Sequence, residues 1–304
     1  MSEAPFELQA GDGPLILSAP HVGRELPQEI AARLTPPGRA LVDTDWDVER
    51  LYPFASELGA TTLFARFSRY VVDLNRDPHD VSLYPGARTT TLIPTETFEG
   101  EALYAAGDEP DPGEIAARRE RYWEPYHAAL RTQLERVVAQ HGYALVVDAH
   151  SIWGRLPLLF DGELPGVNLG TNGGRACSRA LCDIVANVFA GSPYGCVVDG
   201  RFKGGYITRR YGEPAANVHA LQIELNQDTY LADPSRPGHR VALYPATGER
   251  RVARVARRAA HQWDSAKAAL LSVTLRAACQ SLLRSAARTL PATTTPAQQL
   301  PPSQ

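Results

Sequence analysis

The stretch "YALVVDA" (residues 143–149) decides the fold class, because all of its residues except Asp148 are apolar. A continuous apolar run of this length is typical of a strand that is buried on both faces. Such strands occur in parallel sheets that helices cover on both sides. The run is followed at once by His150, a polar residue that does not continue the pattern. The stretch therefore predicts an α/β fold with a polar side chain at a strand end.

Strands and helices alternate along the rest of the chain. Further strands are predicted in "PLILSAP" (14–20), "TTLFARF" (61–67), "RYVVDL" (69–74), "GCVVD" (195–199) and "HALQIEL" (219–225). Helices are predicted at 45–59, ended by Gly59, at 114–141, kinked or divided at Pro125, at 176–190 and at 248–288. This alternation favours a three-layer α/β fold, with an open and mostly parallel sheet between helices on both faces.

The length and composition indicate an ordinary globular protein. The chain has 304 residues, a formal net charge of −3 and 44% hydrophobic residues. The lack of a basic field argues against a nucleic-acid partner, and no apolar run is long enough to predict a membrane span. We expect one domain over residues 1–288 and a disordered tail over 289–304, where large apolar side chains are scarce. A long connection rich in Pro, Gly and Thr occupies 77–113, and the sequence leaves open whether it closes over a site.

The cellular location is predicted from the N-terminus and from the cysteines. The first residues are acidic and lack the apolar core of a signal peptide. The four cysteines, Cys177, Cys182, Cys196 and Cys279, have neither metal-site nor redox spacing. We therefore expect free thiols in a reducing cytoplasm. The sequence does not predict the oligomeric state.

Unusual polar residues follow four of the predicted strands. His21 follows "LILSAP", Asn75 and Arg76 follow "VVDL", His150 follows "LVVDA" and Glu224 closes "ALQIE". The carboxyl ends of parallel strands gather at one edge of an α/β sheet, where ligands bind. These residues are therefore candidates for a functional site rather than for packing.

This set of residues predicts a metal-assisted amide hydrolase that acts on a small acidic substrate. Two histidines and a carboxylate are the ligands of a hydrolytic zinc site with one open position. We therefore expect one divalent metal ion, with zinc favoured, on His21 and His150. A further carboxylate such as Glu224 can take the proton of the attacking water. An arginine such as Arg76 can bind a substrate carboxylate through two hydrogen bonds, and Asn75 can add another donor.

Several of these residues have other interpretations. Asp148 is either a ligand or a carboxylate that orients His150, and Glu224 is either catalytic or the partner of a buried ion pair. His127 lies on a predicted helix, where a core role and a functional role are equally favoured. Ser151 adjoins His150, but no Gly-x-Ser-x-Gly motif accompanies it.

The third metal ligand has several candidates. The acidic residues near the first histidine are Glu25, Asp43, Asp45, Asp47 and Glu49. Glu25 can simply begin a turn before Leu26 and Pro27. Asp45 can instead cap the helix predicted at 45–59. The residues alone do not choose among these carboxylates.

A larger set of motifs resembles the N-formylglutamate amidohydrolase family. These motifs are "SAPHVGRELP", "DTDWDVERLY", "SRYVVDLNRDP", "PTETFEGEALY", "YWEPYHAAL", "VDAHSI", "LPGVNLGT", "GRFKGGYITRRYGEP" and "HALQIELNQDTYL". Together they span roughly residues 18–232, about 70% of the chain. The resemblance implies hydrolysis of N-formyl-L-glutamate to formate and L-glutamate, late in histidine degradation. It also implies a fold related to zinc carboxypeptidases and aspartoacylase-type deacylases.

The resemblance implies a role for each residue that matches. His21 and His150 match the zinc histidines, and Glu224 matches the general base. Arg69 matches an arginine that stabilises the oxyanion. The pair at 75–76, Asn-Arg, matches the pair that binds the α-carboxylate of the substrate. Where the relatives have the zinc-binding glutamate, this chain has Arg24, so we expect the carboxylate from Asp45.

The side-chain carboxylate of the substrate requires a second cation. The segment "GRFKGGYITRR" (200–210) offers Arg201, Lys203, Arg209 and Arg210, and its Gly204-Gly205 pair would let the backbone approach a ligand. The alternative is a flexible basic surface loop. Two other functions also remain open at this point: a zinc deacylase or carboxypeptidase for another N-acyl acidic amino acid, and a non-catalytic protein that binds acidic amino acids.

Overall fold

A seven-stranded mixed sheet forms the centre of the protein. The computed structural model describes residues 4–83, 86, 89–232 and 262–290. The sheet has the order β1-β3-β2-β4-β7-β5-β6. Its strands are β1 (Phe6–Gln9), β2 (Leu15–Ala19), β3 (Thr61–Ala65), β4 (Ala144–Ile152), β5 (Val167–Gly170), β6 (Cys196–Val198) and β7 (Val218–Asn226). A separate antiparallel pair consists of β8 (Leu231–Ala232) and β9 (Gln262–Trp263).

The sheet is mostly parallel, as predicted. Strands β3, β2, β4 and β7 run parallel to one another. β1 pairs antiparallel with β3, and β5 pairs antiparallel with β7 while β6 runs parallel to β5. Every residue of β4 and of β7 is buried. Burial on both faces explains the continuous apolar run at 144–147 in β4, whereas β7 also buries the polar residues His219, Gln222 and Glu224.

Helices cover both faces of the sheet. They are α1 (Gln28–Ala31), α2 (Pro36–Arg39), α3 (Pro112–Arg118), α4 (Glu124–His141), α5 (Arg179–Ala190), α6 (Tyr206–Tyr211) and α7 (Ser265–Thr289). Asp148 of β4 accepts a hydrogen bond from Thr208 in α6. Ser151 instead bonds Tyr230, which follows a 3₁₀ turn, Gln227–Thr229, that packs against α7. Residues an odd number apart on a strand point to opposite faces, so these contacts lie on opposite sides of the sheet. The main core extends from Leu15 to Ala286.

The predicted strand at 69–74 is wrong, because Tyr70–Leu74 is buried but irregular. Its peptide groups bond to side chains and to loop carbonyls rather than to a neighbouring strand; the Asp73 N–H, for example, donates to the Leu92 carbonyl at 2.7 Å. Arg118, buried at the end of α3, directs Nη1 at the carbonyl oxygens of Tyr70 and Val71, at 3.4 and 3.3 Å. Burial alone therefore produced the apolar pattern, and donors from a distant helix satisfy the backbone.

The helix predicted at 114–141 is divided next to Pro125, as expected. α3 and α4 are joined by one π-helical turn, Arg119–Trp123, and Pro125 lies in the first turn of α4. Trp123 donates its Nε1–H to the Arg76 carbonyl at 3.1 Å. His127 contacts the Leu74 carbonyl through Nε2 at 2.8 Å. The two helices therefore hold the whole buried segment from residue 70 to residue 76.

The continuous helix predicted at 45–59 is also wrong. The structure has two short 3₁₀ helices there, Val48–Leu51 and Ser56–Leu58. Pro53 lies between them, and proline disfavours the helical conformation of the residue that precedes it. Gly59 does adopt the left-handed conformation expected of a helix end, with φ of 63°.

The remaining predictions agree with the described residues. α5 corresponds to the helix predicted at 176–190, and α7 to the second half of the helix predicted at 248–288. Residues 248–261 and all but the first two residues of the predicted tail lie outside the described residues. Among the described residues, no helix is both long and apolar enough to span a membrane.

Candidate active site

The predicted strand-end residues lie around one cavity. His150 in β4 is paired in register with Glu224 in β7, and His21 follows β2 on the other side of β4. The cavity is open to solvent and spans about 630 Å³ of space between the side chains. His21, Asp45, Arg69, Arg76, His150 and Glu224 are among its lining residues.

Asp45 is the carboxylate that joins the two histidines. Its Oδ2 lies 3.0 Å from His150 Nδ1 and 3.7 Å from His21 Nδ1. Among the described residues, this trio is a group whose ligand atoms all lie within 4.8 Å of one another. The Asp45 N–H donates to the His21 carbonyl at 3.1 Å, which fixes the loop to the end of β2.

The other candidate carboxylates have different partners. Asp43 Oδ2 accepts from the Phe98 N–H at 2.8 Å, and Glu25 accepts from Arg66. Asp47 and Glu49 both accept from Arg24 Nη2, at 2.7 and 3.2 Å. Arg24 thus holds the loop that carries Asp45.

Each histidine has a second carboxylate at its other ring nitrogen. His21 Nε2 lies 2.6 Å from Asp73 Oδ1, and His150 Nε2 lies 2.9 Å from Asp148 Oδ1. Both aspartates are completely buried. A carboxylate that accepts the Nε2–H leaves the Nδ1 lone pair directed at Asp45, which is the usual arrangement around a bound metal. Asp148 therefore orients a histidine, one of the two roles weighed for it.

The electrostatics of this group favour a cation between the three side chains. Burial disfavours the charged form of His150, but Asp148 and Asp45 outweigh burial and raise its pKa well above the usual value. Burial likewise opposes ionisation of Asp45, yet hydrogen bonds from His150 and His21 lower its pKa. The buried carboxylates thus favour a positive charge next to Asp45. Two imidazoles and a carboxylate are donors that suit zinc, so these residues fit a divalent metal ion.

Arg69 is buried next to this group. Its Nη2 donates to Asp73 Oδ2 at 2.6 Å, and its Nη1 lies 3.3 Å from His21 Nδ1. Burial alone would lower the pKa of Arg69, but Asp73 and Asp45 raise it. Burial opposes ionisation of Asp73 in turn, and Arg69 and His21 hold its pKa well below the usual value. Asp73 therefore fixes a histidine and an arginine at once.

Asn75 and Arg76 also line the cavity, although they follow a loop and not a strand. Asn75 Oδ1 accepts from the Ile207 N–H at 2.8 Å, and its Nδ2 donates to Asp148 Oδ2 at 3.4 Å. Arg76 donates Nε and Nη2 to the carbonyl and hydroxyl of Thr90, at 2.9 and 2.8 Å. These contacts fix both side chains before any ligand is present.

Glu224 faces the same cavity from β7. Gln222 donates Nε2–H to Glu224 Oε2 at 3.0 Å and accepts the Gly205 N–H at 2.7 Å. A Cβ on Gly205 would lie 2.3 Å from Asn75 Nδ2, so only glycine allows this approach. Burial raises the pKa of Glu224 to about 8, which is near the value that a group transferring protons at neutral pH needs.

In the basic segment at 200–210, one of the four predicted cations, Arg201, lines the cavity. Arg201 lines the cavity and donates Nε–H to the Leu159 carbonyl at 2.8 Å. Lys203 is exposed and does not line it. Arg209 bonds the Gly204 carbonyl, and Arg210 lies over the ring of Tyr211; neither lines the cavity.

His127 and Ser151 have structural partners. His127 is buried between the Leu74 carbonyl and the Tyr211 hydroxyl, and burial lowers its pKa to about 3. The Ser151 hydroxyl lies 2.7 Å from the Tyr230 hydroxyl. The backbone N–H of Ser151 donates to Asp45 Oδ2 at 3.0 Å, so Ser151 also supports the proposed ligand.

Sequence reasoning missed Asp73, Gln222 and Phe98. Asp73 was hidden inside the stretch interpreted as a strand, and its signal was a carboxylate in an otherwise apolar run. Gln222 is two residues before Glu224 on the same strand, so both point to one face. Phe98 had no local signal, since the loop that carries it meets Arg69 only in the folded chain.

The comparisons with known proteins agree on one family. Residues 13–231 match the family model described as N-formylglutamate amidohydrolase. An N-formylglutamate deformylase of Pseudomonas aeruginosa is 47% identical over 243 residues, which cover 80% of this chain and 91% of that protein. One of Pseudomonas putida is 47% identical over 221 residues, which cover 72% and 82%. The crystal structure of N-formylglutamate amidohydrolase from Ralstonia eutropha JMP134 superposes with a TM-score of 0.71 at 24% identity, covering 93% of this chain and 97% of that one.

Proposed function

The chain belongs to the N-formylglutamate amidohydrolase family and hydrolyses the formyl amide of N-formyl-L-glutamate, and we propose that it does so with one divalent metal ion. His21, Asp45 and His150 would hold this ion, and zinc is the metal we favour. The observation that supports the proposal most is the convergence of their ligand atoms within 4.8 Å. We also propose that the reaction takes place in the cytoplasm, late in histidine degradation.

The chemistry is divided between the ion and the side chains around it. A divalent ion in this position supplies a Lewis acid for the carbonyl and for the attacking water. Glu224 takes the proton of that water and passes it to the leaving amine. Gln222 holds one of the Glu224 oxygens in place through its 3.0 Å hydrogen bond. Arg69 stabilises the negative charge that develops on the formyl oxygen, and Asp73 keeps the guanidinium in position.

Two further arginines bind the carboxylates of the substrate in this proposal. Arg76 binds the α-carboxylate, with Asn75 beside it. Because Thr90 already orients the Arg76 guanidinium, little conformational freedom is lost on binding. Arg201 binds the side-chain carboxylate. We favour it over the other basic residues at 200–210 because it lines the cavity. Lys203 and Arg209 were equal candidates from the sequence, and their positions outside the lining make them weaker ones.

The experiment is formate release from matched substrates. Wild-type protein should release formate from N-formyl-L-glutamate much faster than from N-formyl-L-glutamine, which lacks the side-chain charge. Arg201→Ala should lose most of this preference. Lys203→Ala is the matched control, since Lys203 is exposed near the same loop, and it should keep the preference. Equal rates on both substrates with wild-type protein would refute the assignment of an acidic substrate.

A further inference from the structure

A small apolar cluster, separate from the main core, runs along the cavity between two of its cations. It contains Phe98 and Ile152, with Leu159 and Phe202 packed against it, and all four line the cavity. Phe202 lies under the guanidinium of Arg201, at 5.3 Å from Cζ to the ring centroid. Leu159 accepts a hydrogen bond from the same arginine. Leu159 and Phe202 therefore form the end of the cluster that lies next to Arg201.

Phe98 lies at the other side of the cluster, against Arg69. The Phe98 ring centroid is 4.8 Å from Arg69 Cζ. Arg69 in turn lies 3.3 Å from the Nδ1 atom of His21. A group that contacts Arg69 in the cavity would therefore have the Phe98 ring as its apolar neighbour.

The backbone of Phe98 is held firmly. Its N–H donates to the buried Asp43 carboxylate at 2.8 Å. The surrounding turn is closed by hydrogen bonds from Thr97 N–H to the Glu101 carbonyl, at 2.8 Å, and from Gly100 N–H to the Thr97 carbonyl, at 2.9 Å. Phe98 itself is only 7% exposed. The backbone that carries the ring is therefore fixed by Asp43 and by the turn, and Arg69 packs against the ring.

We propose that Phe98 is the specificity-determining residue that restricts the acyl group of the substrate to formyl. The proposal rests on the proposed function, in which the formyl oxygen lies near Arg69. The substituent on the carbonyl carbon then extends toward the apolar wall beside Arg69. A formyl group places only hydrogen there, whereas an acetyl group places a methyl group against the fixed ring. Asp43 contributes as a positioning residue, since it anchors Phe98.

The test compares N-formyl-L-glutamate with N-acetyl-L-glutamate as substrates of Phe98→Ala. One methyl group in a well-defined pocket typically changes kcat/KM by about 10- to 200-fold. The ratio of kcat/KM for the acetyl substrate to that for the formyl substrate should therefore rise at least tenfold in the variant. The ratio is the proper readout because loss of the contact with Arg69 would slow both substrates alike.

Phe202→Ala is the matched control. It removes an aromatic ring from the same cluster on the Arg201 side, so it should weaken binding of both substrates and leave the ratio unchanged. Phe98→Leu should give a ratio between those of wild type and Phe98→Ala. It replaces Phe98→Ala as the test variant if the alanine variant does not fold. Wild-type protein should also be inhibited by N-acetyl-L-glutamate only weakly, with a Ki at least tenfold above the KM of the formyl substrate.

The outcomes separate this proposal from the proposed function. No formate from wild-type protein and N-formyl-L-glutamate would contradict the function itself. Normal wild-type activity with an unchanged ratio in Phe98→Ala would overturn the role of Phe98 alone. An equal rise of the ratio in Phe202→Ala, or a wild-type Ki equal to the KM, would overturn it as well.

Discussion

Replacement of Asp73 by asparagine should weaken metal binding without unfolding the protein. Asp73 accepts three hydrogen bonds, from His21 Nε2 at 2.6 Å, from Arg69 Nη2 at 2.6 Å and from the Asn75 N–H at 2.9 Å. Asparagine keeps the shape but has only one acceptor oxygen. Its amide N–H₂ must then face either the His21 N–H or the guanidinium, which are both donors.

The size of the effect follows from these contacts. A hydrogen bond to a charged group contributes about 1.5–3 kcal/mol, and loss of a group that orients a metal ligand typically costs 10- to 100-fold in metal affinity. We therefore expect Asp73→Asn to bind zinc about 10- to 100-fold more weakly than wild type. Asp148→Asn should behave alike, because Asp148 has the same relation to His150.

The assay is a competition for zinc with a chelator of known affinity at fixed pH. Asp77→Asn is the matched control, since Asp77 accepts the His79 N–H in a local turn that asparagine supports equally well. A folded Asp73→Asn variant with wild-type zinc affinity would show that Asp73 does not support the metal ligand His21. So would an equal loss of affinity in the control.

Three further predictions test the support around the site. Trp123→Phe removes one hydrogen bond to the Arg76 carbonyl at 3.1 Å, which contributes about 1 kcal/mol. Steady-state kinetics should therefore show a KM raised roughly fivefold and a kcat that is nearly unchanged. An unchanged KM would contradict a role of the π-helical turn in positioning Arg76. Glu224→Gln should keep its metal, measured by elemental analysis, and lose about 10²- to 10⁴-fold in kcat; loss of the metal would instead identify Glu224 as a ligand. The pKa of His127 is lowered to about 3, so the unfolded chain binds a proton that the folded chain does not, and stability is lost as the pH falls below about 6.5. In denaturant titrations, wild type should lose about 2 kcal/mol more than His127→Gln between pH 7 and 5, and parallel losses would show that His127 does not titrate in this way.

The fold was predictable where burial and secondary structure coincide. β7 is buried on both faces but carries His219, Gln222 and Glu224 among its apolar residues. In β4, which is equally buried, residues 144–147 form a continuous apolar run that indicates a parallel strand. The same pattern misled at Tyr70–Leu74, where burial is complete but the carbonyl groups bond to Arg118 and His127. Those donors are more than 40 positions away along the chain, and no local pattern indicates them.

The site was predictable as a set of strand-end residues but not as a set of contacts. His21, His150 and Glu224 were indicated by single polar residues after apolar runs. The choice of Asp45 among five nearby carboxylates depended on the resemblance to a known family. In the structure, Asp43 accepts from the Phe98 N–H, Asp47 and Glu49 share Arg24, and Asp45 contacts His150. Only the folded chain determines which of them meets the histidines.

The most direct test of the metal centre is a titration of metal-stripped protein with zinc, with formate release from N-formyl-L-glutamate as the readout. We expect no turnover without metal and a linear rise that saturates at one zinc per chain. Asp45→Asn should require a large excess of zinc for the activity that remains, because one of the three ligands is weakened. Full activity of protein that elemental analysis shows to be free of metal would contradict the proposal that hydrolysis requires a divalent metal ion.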